Sequence, residues 1–272
     1  MHWKIRMHHI YSYPDYAIKV LNSGLAKLKS PHFSLPNLSD TKIFDPSNSD
    51  HRAALSELGV RVDGDVGSRN IIAVCNGGHG LVVRYNGKSG NNLYLGRQAR
   101  IRGQLGFECD ENFAVFGEKT GFENFNSTMR LARSFLFVGS ECSSNGVNFG
   151  LQGPENFIIL CDDCMLSWGI QVRTTDSHAI FNIDSGLNIN PADSVVIGPH
   201  VWLGFDSVIQ KGVTIGAGSI IGARSIVTGD VPDYMAVAGV PGRIVRERVC
   251  WTRSANPNED EIRKVMERFY RV

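Results

Sequence analysis

The stretch IGPHVWLGFDSVIQKGVTIGAGSIIGARSIVTGD sets a large aliphatic residue at every sixth position: Ile197, Leu203, Ile209, Ile215, Ile221 and Val227. A fixed period marks a repeat architecture. The fifth positions read Val201, Ser207, Val213, Ser219, Ser225 and Val231, and the second positions are mostly Gly. Neither the helical period nor simple strand alternation fits. A six-residue unit suits a short strand that turns sharply at Gly or another permissive residue, with three such sides closing one triangular coil. First positions then fill the interior, small or β-branched fifth positions sit in the tight space beside them, and third, fourth and sixth positions stay outside. Stacked coils pair backbone to backbone about 4.8 Å apart, each burying its neighbour.

The repeat extends upstream. Hexads begin at Leu160, Leu166 and Val172, and the register then breaks until Ile197, a gap of 25 residues that is not a multiple of six. Farther back, NIIAVC, NLYLG, NFAVFG, SFLFVG and NFIILC end on Val74, Leu95, Phe116, Val138 and Leu160, spaced 21, 21, 22 and 22. Three hexads need 18, so these read as coils with one corner enlarged. The expected fold is an all-β parallel β-helix over 70–245, interrupted by a loop at 173–196. Residues 1–69 lack both periods and read as a small helical and irregular cap segment. Ile18, Leu21, Leu25 and Leu28 suit a helix over 15–29, and Ala54, Leu55 and Leu58 suit a shorter one before Gly59. The intervening SPHFSLPNLSDTKIFDPSNSD reads as loop. The aromatic and His-rich start (Trp3, His8, His9, Tyr11, Tyr13, Tyr16) suits packing of this cap, with glycan contact as the other reading. Residues 246–272 form a tail and helix, with Asn258 and Glu261 as a capping box ahead of Ile262, Val265, Met266 and Phe269.

Composition narrows the partners. The 272 residues are 42% hydrophobic, enough for a core, and 28 Lys plus Arg stand against 27 Asp plus Glu. This balance gives no reason to expect nucleic acid or a membrane surface. No apolar run has the length of a signal peptide core or a membrane span, so the expected home is the bacterial cytoplasm. Cys161 and Cys164 have the CxxC spacing of redox and zinc sites. However, Cys164 falls at a fifth position, where a small buried residue is wanted, and no second pair completes four ligands. No metal is expected.

Chemistry is expected where the scaffold breaks. The interruption contains RTTDSHAIFN, and His178 is suited to take a proton from a hydroxyl attacking an acyl carbonyl. Asp176 either orients that imidazole or forms a turn. Arg173 either binds an acceptor carboxylate or ends a strand in solvent. Trp202 sits at a sixth, outward position, bordering a reacting centre or packing on another subunit.

The region from Asn156 to Arg253 resembles the polysaccharide O-acetyltransferase branch of the hexapeptide acyltransferase family, including enzymes that acetylate polysialic acid capsules. The matching pieces are RTTDSHAIFN, INPADSVVIGPHVWLG and VAGVPGRIVRERVCW. The resemblance is weak over 70–155 and absent over 1–69. It implies a left-handed β-helix, a homotrimer with active sites shared between subunits, His178 as catalytic base and Trp202 beside the acyl thioester. It also implies acetyl-CoA as donor, with contacts at Phe205, Ala223, Thr228, Arg243 and Arg246; the arginines suit nucleotide phosphates or form a solvated basic tail. Two departures stand out: Gly229 where relatives carry Lys, and Phe205 where a small residue is usual. The expected reaction is direct acetyl transfer to a sugar hydroxyl of a capsular or other surface polysaccharide, with a backbone N–H stabilising the oxyanion. Three other readings stay open. A sugar-nucleotide N-acetyltransferase would use the same base. A metal-dependent γ-class carbonic anhydrase needs three His, for which the helix offers His79, His178 and His200. A glycan-binding β-helix without catalysis would need no loop.

Overall fold

The computed structural model describes residues 13–270. A parallel β-helix accounts for most of them. Its first face is a sheet whose strands run Ile71–Val74, Asn92–Leu95, Phe113–Phe116, Phe135–Val138, Phe157–Leu160, Val195–Ile197 and Thr214–Ile215, one per coil. Val74, Leu95, Phe116, Val138, Leu160, Ile197 and Ile215 stand in one register, as the spacing required. The coils are numbered one to seven from these strands. The second face carries short strands such as Met165–Leu166, Trp202–Leu203 and Ile220–Ile221, and the third carries Gly80–Asn86 through Ile226–Val227.

First-position aliphatics from Ile197 to Val227 are at most 2% exposed, and Ser207, Ser219 and Ser225 lie buried beside them. The turn does not fall on the second-position glycines. It falls on the fourth position, where His200, Asp206 and Arg224 adopt φ of 54°, 55° and 58°, and Gly212 and Gly218 share that left-handed conformation. The second-position glycines serve close approach instead: a Cβ on Gly204 would stand 2.7 Å from the Ile221 carbonyl oxygen of the next coil. The extra residues of the early coils also differ from expectation. They lengthen the third side, where residues 103–107, residues 125–129 and Val147–Leu151 stand in place of two-residue strands such as Val208–Ile209, while the first residues of Arg100–Phe107 and Gly121–Met129 still pair on the second side.

The outward side of the first face is apolar too, and the N-terminal segment covers it. Helix α1 (Asp15–Leu25) places Ala17 and Leu21 on Tyr94, Phe113, Phe137 and Ile159. The Tyr13 hydroxyl donates to the Pro36 carbonyl at 2.9 Å, while Trp3, His8, His9 and Tyr11 lie outside the described residues. Buried Asp162 pins the following segment by accepting from the Ser34 amide, the Ser34 hydroxyl and the Ser140 amide at 2.7–3.1 Å. Two strands sit where loop was expected or no strand was marked. Lys42–Phe44 runs antiparallel along the first face, and Val60–Asp65 already pairs in parallel with Gly80–Asn86. Helix α2 (Ser49–Glu57) lies between them, capped by Asn48. At the other end the capping box of Asn258 and Glu261 opens helix α3 (Glu259–Phe269). Phe269 and Trp251 sandwich the buried His200 ring at centroid distances of 4.5 and 4.1 Å, which docks the tail onto the coils.

Candidate active site

Residues 174–194 leave the end of Ile170–Arg173 on the third face and return at Val195–Ile197 on the first, so the excursion springs from the corner between them. Its stem is tied to the coil before. The Thr174 amide donates to Gly150, the Gln152 amide donates to Thr174 Oγ1, and the Asp193 amide closes the stem on the Thr174 carbonyl. Ser177, at φ 72°, donates its hydroxyl to Gln152 Oε1 at 3.0 Å. Beyond the stem an antiparallel bridge between Phe181 and Asn188 makes a small hairpin. Its Ile180, Phe181, Ile183, Leu187 and Ile189 side chains are exposed.

His178 is exposed on this loop. What holds it is a cation that sequence reasoning missed. Lys211 Nζ donates to Asp176 Oδ2 at 2.5 Å and to the Asn190 carbonyl at 2.7 Å. Asn190 Nδ2 donates both to the same Asp176 oxygen and to the His178 carbonyl, each at 2.9 Å. Asp176 therefore fixes the backbone at His178 through Asn190, and no bond from its carboxylate to the imidazole occurs. The Lys211 hydrogen bond, with that of Asn190, holds the Asp176 carboxyl below its ordinary range. Lys211 occupies the third, outward position of its hexad, where a lysine in the sequence reads as a solvated charge.

The remaining expected site residues fall elsewhere on the coils. Trp202 is 37% exposed on the second face, aligned between Met165 and Ile220. Phe205 and Ala223 occupy the corner between the second and third faces, and Thr228 follows Ile226–Val227. Arg243 and Arg246 project from a final strand, Arg243–Arg246, antiparallel to Ala236–Ala238, and both are exposed with no carboxylate partner among the described residues. Arg173, at the foot of the loop, is exposed and likewise unpaired. The bulky Phe205 ring lies 5.0 Å from the exposed Trp168 one coil earlier and 5.4 Å from the Arg224 guanidinium. That aromatic corner also escaped notice, because Trp168 stands alone at a third position. Gly229 has open space around a Cβ, so packing does not require it.

One chain thus gathers Trp202, Phe205, Ala223 and the arginines on the second face and its corner, while His178 springs from the corner opposite that face. The three histidines of the metal reading are not brought together. His79 is buried in the first coil against the Asn76 carbonyl and the Ile101 amide, and His200 bonds Asp163 and the Trp251 carbonyl. Cys161 and Cys164 face opposite sides of the wall, one under α1 and one in the helix interior.

Residues 194–229 match the family model described as bacterial transferase hexapeptide (six repeats). The chain is 38% identical over 109 residues to the polysialic acid O-acetyltransferase of Escherichia coli O1:K1 / APEC, covering 40% of this chain and 36% of that protein. It is 31% identical over 142 residues to the galactoside O-acetyltransferase of Escherichia coli (strain K12), covering 50% and 65% of the two. The aligned part is therefore under two thirds of either relative. Among solved structures, the polysialic acid-specific acetyltransferase NeuO superposes with a TM-score of 0.64 at 27% identity, over 73% of this chain and 84% of that one. The parallel β-helix and the six hexads in register agree with the hexapeptide-repeat match over residues 194–229, and the chain counts polysialic acid O-acetyltransferases among its homologues.

Proposed function

We propose that the chain transfers an acetyl group from acetyl-CoA to a sugar hydroxyl of a surface polysaccharide in the bacterial cytoplasm, with His178 as general base. The observation that carries this reading is an exposed histidine, held by the Lys211, Asp176 and Asn190 network on the loop that breaks the repeat, in a chain whose relatives are O-acetyltransferases. His178 takes the hydroxyl proton as the sugar oxygen attacks the thioester carbonyl, and a backbone N–H stabilises the tetrahedral oxyanion. Collapse breaks the carbon–sulfur bond, and the proton leaves with the thiolate to give free CoA and the sugar ester. No acyl-enzyme is needed.

The residues assigned to the donor fit it. Arg243 and Arg246 offer unpaired planar cations to phosphates, and Ala223 leaves the corner open for an extended thiol arm. Phe205, backed by Trp168, narrows that corner. Because His178 and Trp202 lie on opposite sides of one chain, His178 of one subunit meets the second face of another in a closed cyclic trimer, with three shared sites. Thiol release from acetyl-CoA against a panel of capsular and O-antigen glycans, with mass spectrometry of the product, tests the reading. An ester-linked acetyl group is expected, and activity on amino sugars alone would overturn it.

A further inference from the structure

The third face is widest in the early coils, and its outward positions form two rows. Strand register aligns Gln104, Asn126, Asn148 and Gln171 in one row. It aligns Arg84, Gly106, Thr128, Gly150 and Arg173 in the next, with Asp63 on the strand before Arg84. At the strand spacing of about 4.8 Å, the second row runs roughly 19 Å across the coils. Its last member begins the loop that carries His178. A groove of about 250 Å³ lies over the first three coils, with Arg84, Gln104, Gly106, Asn126, Thr128 and Glu108, the last paired with Arg130, among its walls.

Three features set this surface apart from an ordinary solvated sheet. The four carboxamides bond neither to each other nor to any other group of the described residues, so each presents a free donor and acceptor pair. The glycines are required by neither backbone nor packing. Neither has a positive φ, and a Cβ would meet Thr128 Cγ2 at 3.5 Å from Gly106 and only the Val172 oxygen at 3.8 Å from Gly150. Glycine in a strand interior costs stability and marks a place where something approaches the backbone. Lastly, Arg84 and Arg173 form no ion pair among the described residues: Asp63, the strand neighbour of Arg84, pairs with Arg61, and Asp176, which feels the charge of Arg173, pairs with Lys211, while nearby Arg102 and Arg130 are paired with Glu123 and Glu108.

We propose that this face is an acceptor track, on which an extended acidic saccharide of several units lies across the strands from Arg84 to Arg173. The amides take its hydroxyls, the glycines give it a flat bed, the terminal arginines take its carboxylates, and its end is delivered to the His178 loop. The proposal rests on the acetyl-transfer reading for what happens at that end, and on the third face alone for binding.

Isothermal titration without donor separates the two. The probes are sialic acid, its linear hexamer and neutral maltohexaose. A lost hydrogen bond to a charged group is worth about tenfold in affinity. The acidic hexamer is expected to bind at least tenfold tighter than either other probe. Arg84→Ala and Gly106→Val are each expected to weaken hexamer binding about tenfold and leave the monomer unchanged. Gly106→Val suits a strand and leaves thermal stability unchanged or higher, which keeps binding loss distinct from misfolding. Equal binding of monomer and hexamer, absence of binding by any probe, or variants that bind the hexamer like the wild type would overturn the track. If the hexamer binds in this way but no glycan is acetylated, the track stands and the acetyl-transfer reading falls. If glycans are acetylated with unchanged hexamer KM in both variants, the reverse holds.

Discussion

Replacing Lys211 by Met removes the cation under the loop that carries His178 and keeps most of the aliphatic stem. Two bonds are lost, one to the Asp176 carboxylate and one to the Asn190 carbonyl. The Asp176 side chain is 39% exposed, so its ion pair is worth about 0.5–1 kcal/mol after screening rather than the value of a buried pair. The carbonyl bond adds about 1 kcal/mol. A docked loop weakened by about 1.5–2 kcal/mol loses roughly ten- to thirtyfold in population of the working geometry, at 1.4 kcal/mol per decade. The loop carries no interior aliphatics, so Tm should fall by only about 2–4 °C per kcal/mol. The Asp176 carboxyl is held down by its Lys211 bond, so the anchor is fully present above the ordinary carboxylate pKa of about 3.9 and is lost as pH falls through the lowered value. At neutral pH it is complete. Measuring kcat by thiol release beside thermal unfolding tests this: a tenfold or larger loss of kcat with a small Tm change is expected. A kcat within twofold of wild type would refute the anchoring role, as would loss that only tracks global unfolding.

Tyr85→Phe should raise stability by up to about 1 kcal/mol in urea unfolding, because the buried Tyr85 hydroxyl has no partner among the described residues and an unpaired buried hydroxyl costs free energy; a loss of stability would reveal a partner. Trp251→Ala should cost about 3 kcal/mol and expose helix α3 to limited proteolysis, since it removes one wall of the His200 stack and the Nε1 bond to the His200 carbonyl; an unchanged digestion pattern would contradict this docking. Burial pushes the Asp163 carboxyl up, but its His200 bond and Arg253 outweigh that and hold it low. Tail docking should therefore persist down through the ordinary carboxylate range and fail only as pH drops below it, so release of α3 at pH 5 to 6 would be inconsistent.

Much of the fold was legible because β-helix packing imposes its period directly on the chain. The last aliphatics of the early segments, from Val74 to Leu160, share a register across five coils, and Ile197 rejoins it after the loop. What the pattern hid has physical causes. Fourth-position residues in the left-handed conformation, such as Asp206 and Arg224, show no glycine signal. Strand Val60–Asp65 has only one neighbour in its sheet among the described residues and carries no repeat spacing to a coil before it. At the site, the broken register pointed to His178, yet its support comes from Lys211, 35 residues from Asp176. An outward lysine in a hexad gives no sign of the loop folded over it. The long third-face strands appeared only as surplus residues per coil, which concealed the two outward rows.

His178→Ala, assayed for thiol release and sugar acetylation with acetyl-CoA saturating, tests the central claim most directly. Loss of the base predicts a fall in kcat of about 10² to 10⁴ with thermal stability unchanged, since the side chain is exposed. Turnover near that of the wild type would contradict it.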